Sequence, residues 1–469
     1  MRALRPCVNA LCLAVTLAAS VARGATFDLQ TATIADINAA MDAGALTSER
    51  LVGLYLQRIA AYDQAGPRIN AVISLHPRAL EIARELDRER RTRGPRSPLH
   101  GIPVVLKDLF DTKDLPTTGG FLPLKDSVPL YDATVVARLR DAGAVILAKV
   151  NLSDWFGTPK PGDQSTVLGR TNNPYNLDLS PGYSSGGTGA ALAAAFAQVG
   201  LGSETGVSIR NPTSNNSLVG LAPTRGLIPR TGQIMTSFTQ ERCGPMARTV
   251  YDVAVVTQIV AGFDAEDLLT IHSPGKTPPV PYTSFLKKDG LRGARIGVFR
   301  DLFRQGEQHA EATAMIEKAI AQMKAAGAVI VDPISTGLDL FTLLAETRTN
   351  YFEAQFSYNL YFRRLGPNAP IRTMDELLEK GGALVKPSIV RGYKEFNSLM
   401  HHAEFLARRD TQEVLKAELI ALMDKHRLDA VVHPFKTLPA SPHLARGGDQ
   451  DNPFSSVTGL PALLVPAGY

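Results

Sequence analysis

The sequence predicts an α/β protein in which helices pack against a layered β-sheet. Short apolar runs of strand length alternate with amphipathic helical segments from Thr33 to about residue 260, and a second alternation begins at Arg295. The composition, 44% hydrophobic and 20% charged residues in 469, is that of an ordinary globular protein. The chain is long enough for a sizeable core and is within the length of one large α/β domain.

The first 24 residues have the pattern of a secretory signal peptide. Arg2 and Arg5 precede an apolar run over 11–19, and the small residues Ala22 and Gly24 follow within Ala22-Arg23-Gly24. The run is far shorter than the ~20 residues of a spanning helix. We therefore expect cleavage near Ala25, export to the periplasm or the medium, and no stable membrane span in the mature protein. The alternative is an N-terminal membrane anchor.

Charge and cysteine content restrict the function further. Loss of residues 1–24 removes three arginines and no acids, so the net charge of +5 becomes +2. This near balance argues against a nucleic-acid partner. Cys7 and Cys12 lie in the signal segment, which leaves Cys243 in the mature chain and allows no internal disulfide. Cys243 is expected to be a small buried residue.

The N-terminal half predicts, in order, two helices within 33–63, a strand at 71–75, a helix at 79–91, a strand at 102–106, a helix at 133–141 and a strand at 144–147. Thr47 or Ser48 is a suitable cap for the second helix. The strand at 102–106 ends at Lys107, and the strand at 144–147 is followed by Lys149.

The stretch 180–210 combines two Ser/Gly loops with an apolar segment between them. The segment predicts a helix over 188–199, buried on all sides because it has no polar face. The glycines of the loops allow close approach of the backbone to a ligand. Such loops suit an anion or oxyanion site.

Between residues 211 and 300 the sequence predicts strand-like pieces at 218–221 and 226–229, a helix at 249–260 and a surface excursion at 263–291. After residue 300 it predicts a helix at 311–325, a strand at 329–331, a helical region at 341–425, a strand at 429–435 and a strand-like ending at 459–469. The nine histidines are scattered and show no HExxH pattern, so no metal and no cofactor are expected.

Three separated segments, GIPVVLKD at 101–108, SPGYSSGGTG at 180–189 and GSETGVSIR at 202–210, resemble the motifs of the amidase signature family. The resemblance implies one amidase domain over 25–469, with a single large mixed β-sheet core sandwiched by helices. It also implies hydrolysis of a linear, small-molecule amide to an acid and an amine or ammonia. Family members normally continue past this C-terminus, so a truncated or unusually short chain is expected.

Carried over residue by residue, the family's lysine is Lys107, its serine in a cis peptide is Ser184, and its nucleophile is Ser208. The resemblance implies that Ser208 forms the acyl-enzyme while Ser184 relays its proton to Lys107. Lys107 must then be neutral, which requires a lowered pKa from burial or a neighbouring positive field. The oxyanion hole is implied at the backbone N–H groups of Thr205, Gly206, Val207 and Ser208.

Two departures from the family pattern are Val207, where a glycine is usual, and Glu204, where an aspartate is usual. They bear on substrate shape more than on chemistry, since backbone donors allow a valine at 207. Ser185 and Arg210 are expected to organise the loops by hydrogen bonding.

Two other functions are consistent with parts of the sequence. Residues 182–186 also fit G-x-S-x-G, the nucleophile elbow of α/β-hydrolases, with Ser184 as nucleophile and His433 or His443 as the triad histidine. An elbow needs a strand directly before it, whereas 172–181 is turn-rich. The second alternative is a catalytically silent exported binding protein of the same fold. Lys149 is a rival base to Lys107 and is expected to be structural.

Overall fold

The computed structural model describes residues 27–154, 156–157, 164–367, 369–395, 402–443 and 452–468. The signal peptide expected at 1–24 lies outside the described residues. The helices are α1 (Ile34–Asp42), α2 (Ser48–Tyr62), α3 (Ala79–Arg93), α4 (Thr134–Asp141), α5 (Gly186–Ala193), α6 (Arg210–Asn215), α7 (Val250–Val260), α8 (Ala310–Ala325), α9 (Leu340–Ala345), α10 (Asn350–Arg364), α11 (Met374–Gly381), α12 (Pro387–Glu395), α13 (Ala403–His426) and α14 (Phe454–Thr458).

The strands are β1 (Val72–Leu75), β2 (Pro103–Lys107), β3 (Val145–Val150), β4 (Gln164–Ser165), β5 (Gly169–Arg170), β6 (Val199–Glu204), β7 (Val219–Ala222), β8 (Arg242–Ala247), β9 (Arg295–Phe299), β10 (Val329–Ile334), β11 (Ala430–Val432) and β12 (Ala462–Leu464). Seven of them form one sheet in the order β1-β3-β2-β6-β8-β7-β12. β2 runs parallel to β3 and β6, and the other neighbours are antiparallel. The predicted large mixed sheet is confirmed. The second alternation forms its own parallel sheet, β10-β9-β11.

The centre of the large sheet is fully buried, because helices cover both of its faces. Every residue of β2, β3 and β6 is buried. Helix α5 packs on these strands with almost no space between the backbones. A Cβ on Gly187 would lie 2.1 Å from the carbonyl oxygen of Asn151, so only glycine fits there.

The helix predicted over 188–199 is wrong in its second half. The helix ends at Ala193, Ala195 takes a positive φ of 53°, and Val199 already belongs to β6. An unbroken apolar run does not distinguish a buried helix from a buried strand. The residues from 199 onward form a strand because β6 pairs with both β2 and β8.

Most of the other predicted elements are confirmed within one to three residues at each end. Thr33 and Thr47 cap α1 and α2, and Thr33 does so through a capping box. The strand-like piece at 226–229 is wrong, since these residues form turns. None of the helices within the described ranges has the length and apolar character needed to cross a bilayer.

Candidate active site

Lys107 is the last residue of β2, at the centre of the large sheet, and its side chain is fully buried. The Nζ atom donates a hydrogen bond to Ser184 Oγ and another, 2.9 Å long, to Ser203 Oγ. Ser203 lies on β6, the strand that pairs with β2 on the side opposite β3. Two serines from different elements thus fix the position of the amino group.

Ser184 lies in a tight turn that leads directly into α5. Gly182 has a φ of 105° and Tyr183 a φ of 62°, and this pair of left-handed residues turns the chain toward Lys107. A Cβ on Gly182 would lie 2.5 Å from backbone atoms of Pro212, so glycine is required on both grounds.

The structure differs from the resemblance at Ser184. The resemblance implies a cis peptide there, whereas within the described ranges the cis bond is Asp332–Pro333 and the bond at Ser184 is trans. The left-handed conformations of Gly182 and Tyr183 provide the turn that brings Ser184 Oγ to Lys107.

Burial lowers the pKa of Lys107 to about 7, even though the nearby carboxylates of Glu241 and Glu204 act to raise it. From the sequence, either burial or a neighbouring positive field could lower the pKa of Lys107. Burial is the cause, since the neighbouring charges are negative. An amine with a pKa near 7 is a mixture of neutral and charged forms at physiological pH, so it can both accept and return a proton.

Ser208 lies in the turn between β6 and α6, and its side chain is half-buried. The N–H groups of Thr205, Gly206, Val207 and Ser208 donate no hydrogen bond to another described residue. The next two N–H groups along the chain, those of Ile209 and Arg210, both donate to Glu204 Oε2 at 3.1 Å. The turn therefore presents a row of free backbone donors beside a serine.

Glu204 is the buried anchor of this turn. Its carboxylate accepts hydrogen bonds from Arg210 Nε at 3.0 Å and from Arg242 Nη2 at 2.5 Å, and all three side chains are buried. These arginines lower the pKa of Glu204 against the opposing effect of burial. The glutamate in place of the usual aspartate thus holds the loop. Ser185 also organises it, since Ser185 Oγ donates to Ser203 O at 3.1 Å.

Ser184 and Ser208 open onto one cavity of about 510 Å³. The turn from Thr205 to Ser208 forms one wall. The opposite walls come from the helical region, and the remaining lining residues are Tyr183, Thr236, Arg348, Asn350, Tyr351, Ala354, Gln355, Tyr358, Met374, Lys386, Ser388 and Ile389. A cavity of this size suits a small organic ligand.

Other candidates from the sequence lie elsewhere and are structural. Lys149 Nζ forms a buried ion pair with Asp108 at 2.9 Å and does not line the cavity. Cys243 is buried on β8, and burial raises the pKa of its thiol, so it is unreactive. Among the described residues, no group of three or more His, Cys, Asp and Glu is placed to hold a metal ion.

The structure does not support the nucleophile elbow. The residues before Gly182 form turns and isolated bridges, with no strand directly before Ser184. His433 contacts its own neighbour's carbonyl, that of Pro434, and burial lowers its pKa to about 4. His443 contacts Leu177 O, and neither histidine lines the cavity.

Three residues near the site were not singled out from the sequence. Ser203 lies inside the 202–210 motif, but nothing in the motif marks it as a partner of Lys107. Glu241 is buried behind the turn, where Thr205 Oγ1 donates to its carboxylate at 2.5 Å. Arg348 reaches the cavity from a helical region with no recognisable pattern.

Comparison with known proteins first gives the class, since the solved structures that superpose on this chain include amidases. The structure of native peptide amidase from Stenotrophomonas maltophilia is 37% identical and superposes with a TM-score of 0.84, covering 93% of this chain and 90% of that one. The structure of an amidase family protein from Bacillus anthracis is 32% identical with a TM-score of 0.80, covering 94% and 85%.

The sequence comparisons give the family. A family model described as Amidase matches residues 50–468. A probable amidase of Arabidopsis thaliana is 32% identical over 480 residues, covering 98% of this chain and 88% of that protein. The chain belongs to the amidase signature family, and it is an amidase, a hydrolase of carbon–nitrogen bonds in amides.

Proposed function

We propose that the protein is an exported amidase that hydrolyses a linear carboxylic amide through an acyl-enzyme on Ser208, with Ser184 and Lys107 relaying the proton. The observation that carries this proposal is the contact of a buried lysine, its pKa lowered to about 7, with a serine that shares a cavity with Ser208. A lysine of this kind is a suitable general base at neutral pH.

The first half of the reaction forms the acyl-enzyme. Neutral Lys107 accepts the proton of Ser184, Ser184 accepts the proton of Ser208, and Ser208 Oγ attacks the amide carbonyl. The tetrahedral oxyanion accepts hydrogen bonds from the free N–H groups of residues 205–208. The carbon–nitrogen bond then breaks, and the proton returns from Lys107 through Ser184 to the leaving nitrogen.

The second half repeats these steps with water. A water molecule gives a proton to the same relay and attacks the acyl carbonyl, and Ser208 leaves with the returned proton. The products are a carboxylic acid and an amine or ammonia. Ser203 keeps Lys107 in place throughout, because its hydroxyl accepts a hydrogen bond from Nζ in the resting state.

A fluorophosphonate probe followed by peptide mapping tests the assignment. We expect the adduct on Ser208, loss of labelling in Ser208→Ala, and slow labelling of Lys107→Ala that is most evident at neutral pH. His433→Ala is the matched control and should label at the wild-type rate if it folds. An adduct on Ser184, or loss of labelling in a folded His433→Ala protein, would reject the assignment.

Export is the part of the proposal that depends on the N-terminal sequence. Arg2 and Arg5 before the apolar run at 11–19 support it, because a charged start and a short apolar run are the features that a secretion signal requires. The mature protein then meets its amide substrate outside the cytoplasm.

A further inference from the structure

One cationic side chain in the cavity has no described partner. Arg348 lies just before α10, and its guanidinium faces Gly206 in the turn that carries the free N–H groups. The guanidinium atoms lie 3.3–3.5 Å from the point that a Cβ on Gly206 would occupy. The charge is therefore held directly beside the proposed oxyanion hole.

Hydrogen bonds fix the backbone where Arg348 joins Thr349. Thr349 N and Thr349 Oγ1 donate to Gln240 Oε1 at 2.6 and 2.8 Å, and Gln240 Nε2 donates to Thr205 O at 3.1 Å. Arg408 Nη1 donates to Arg348 O at 2.8 Å. These bonds tie the segment to the 205–208 turn and place the arginine without using its guanidinium.

The guanidinium itself makes no hydrogen bond or ion pair with another described residue, and none of the described carboxylates lines the cavity. The second cation in the lining, Lys386, is directed to the carbonyl oxygen of Asp154. A cavity lined by one available guanidinium and by no described carboxylate favours an anionic ligand group. Its planar fork of donors matches a carboxylate in particular.

We propose that this amidase prefers amides that carry a carboxylate, and that Arg348 binds that carboxylate. The proposal rests on the function proposed above, since it concerns the same cavity. Gly206 and Ser208 are two residues apart, so their Cα atoms are within about 7 Å. The carboxylate therefore lies only a few bonds from the scissile carbonyl, on either its acyl or its amine side.

Two pairs of substrates test the acyl side and the amine side of the amide in turn. The members of each pair differ in one group, which is charged in one member and neutral in the other. On the acyl side, the monoamide of glutaric acid is compared with 5-oxohexanamide, its neutral methyl ketone analogue. On the amine side, 4-acetamidobenzoate is compared with 4-acetamidoacetophenone. In each pair the carboxylate is replaced by a neutral group of similar shape, and kcat/KM is measured for both members.

We expect wild-type protein to prefer the carboxylate in at least one pair by tenfold or more, with a preference that weakens as salt is added. Arg348→Gln should lose this preference and change kcat/KM for the neutral analogue less than threefold. Arg348→Lys should retain part of it. Arg363→Gln, on the exposed face of α10, removes the same charge outside the cavity and should behave as wild type.

Two outcomes would overturn the proposal. One is equal kcat/KM for charged and neutral members of both pairs in the wild type. The other is an equal loss for both members in Arg348→Gln, which would mean that Arg348 supports the turn or the oxyanion and does not select the substrate. Fluorophosphonate labelling of Ser208 in Arg348→Gln reports folding and the nucleophile, so failure of the Ser208 mechanism is detected separately.

Discussion

Two opposing effects set the protonation of Lys107. Burial lowers its pKa to about 7, and the carboxylates of Glu241 and Glu204 raise it. The carboxylate of Glu204 is hydrogen-bonded to two arginines. The carboxylate of Glu241 instead accepts hydrogen bonds from neutral donors such as Thr205 and Gln233. Glu241 is therefore the residue whose charge can be removed with least disturbance of the turn.

Glu241→Gln should move the acid limb of the kcat/KM profile to lower pH. Loss of a negative charge disfavours the ammonium form, so the pKa of Lys107 falls and the neutral base persists in more acidic solution. We expect a shift of about half a unit to one unit, measured on a neutral amide.

The control for this prediction is Glu353→Gln. Glu353 is also a buried carboxyl bound by hydroxyl groups, those of Ser237 and Thr239, but it does not act on Lys107. Its variant should keep the acid limb in place. An unchanged limb in Glu241→Gln, or a shift to higher pH, would mean that the Glu241 carboxylate does not raise the pKa of Lys107.

At the scale of elements, the turn between β6 and α6 depends on one buried ion cluster. Glu204→Ala would leave the guanidinium groups of Arg210 and Arg242 buried without a counter-charge. We expect the free energy of unfolding, measured by chemical denaturation, to fall by about 3–5 kcal/mol. Glu204→Asp keeps the charge and should cost less, because only the reach of the side chain changes. A loss below about 1 kcal/mol in Glu204→Ala would show that solvent or relaxation compensates for the missing carboxylate.

The elements around the site also show what the sequence could and could not predict. The strand ending at Lys107 was predictable, because its apolar run is only five residues long, is rich in β-branched residues and follows Gly101. The boundary between α5 and β6 was not, because the residues from Ala190 to Leu201 are almost all apolar or small and tertiary pairing alone separates them. The helix cap at Thr47 followed from local chemistry.

The residues of the site also fall into those that the sequence could predict and those that it could not. Ser184, Ser208 and Lys107 were found through motif resemblance, and the structure brings them to one centre. Glu241 and Arg348 reach the site from segments 33 and 140 residues beyond Ser208, and no local pattern marks them. The turn that brings Ser184 to Lys107 likewise uses the positive φ of Gly182 and Tyr183, which sequence spacing does not report.

At the scale of the whole molecule, the protein is held together by its core. Cys243 is the one cysteine of residues 25–469, and it is buried with a raised thiol pKa. An extensive apolar cluster links α1, α2 and the large sheet with α10 and α11, and a second one joins β9 and β10 to α9 and α13. A chain of this size can bury enough apolar surface to be stable without disulfides. The proposed export therefore does not require a disulfide.

The proposed export can be tested directly on the whole chain. Expressed in a Gram-negative host, the full chain should be recovered from the periplasm with its N-terminus near Ala25. Arg2 and Arg5 before a short apolar run have the pattern of a secretion signal, and the small residues Ala22 and Gly24 suit cleavage. N-terminal sequencing of the soluble fractions measures this. Replacing Leu13 and Val15 by Asp would break the apolar run and should retain the protein in the cytoplasm, while Arg58→Gln, far from the signal segment, should not. Soluble cytoplasmic protein that starts at Met1 in the wild type would instead mean that the first 24 residues are part of the mature enzyme.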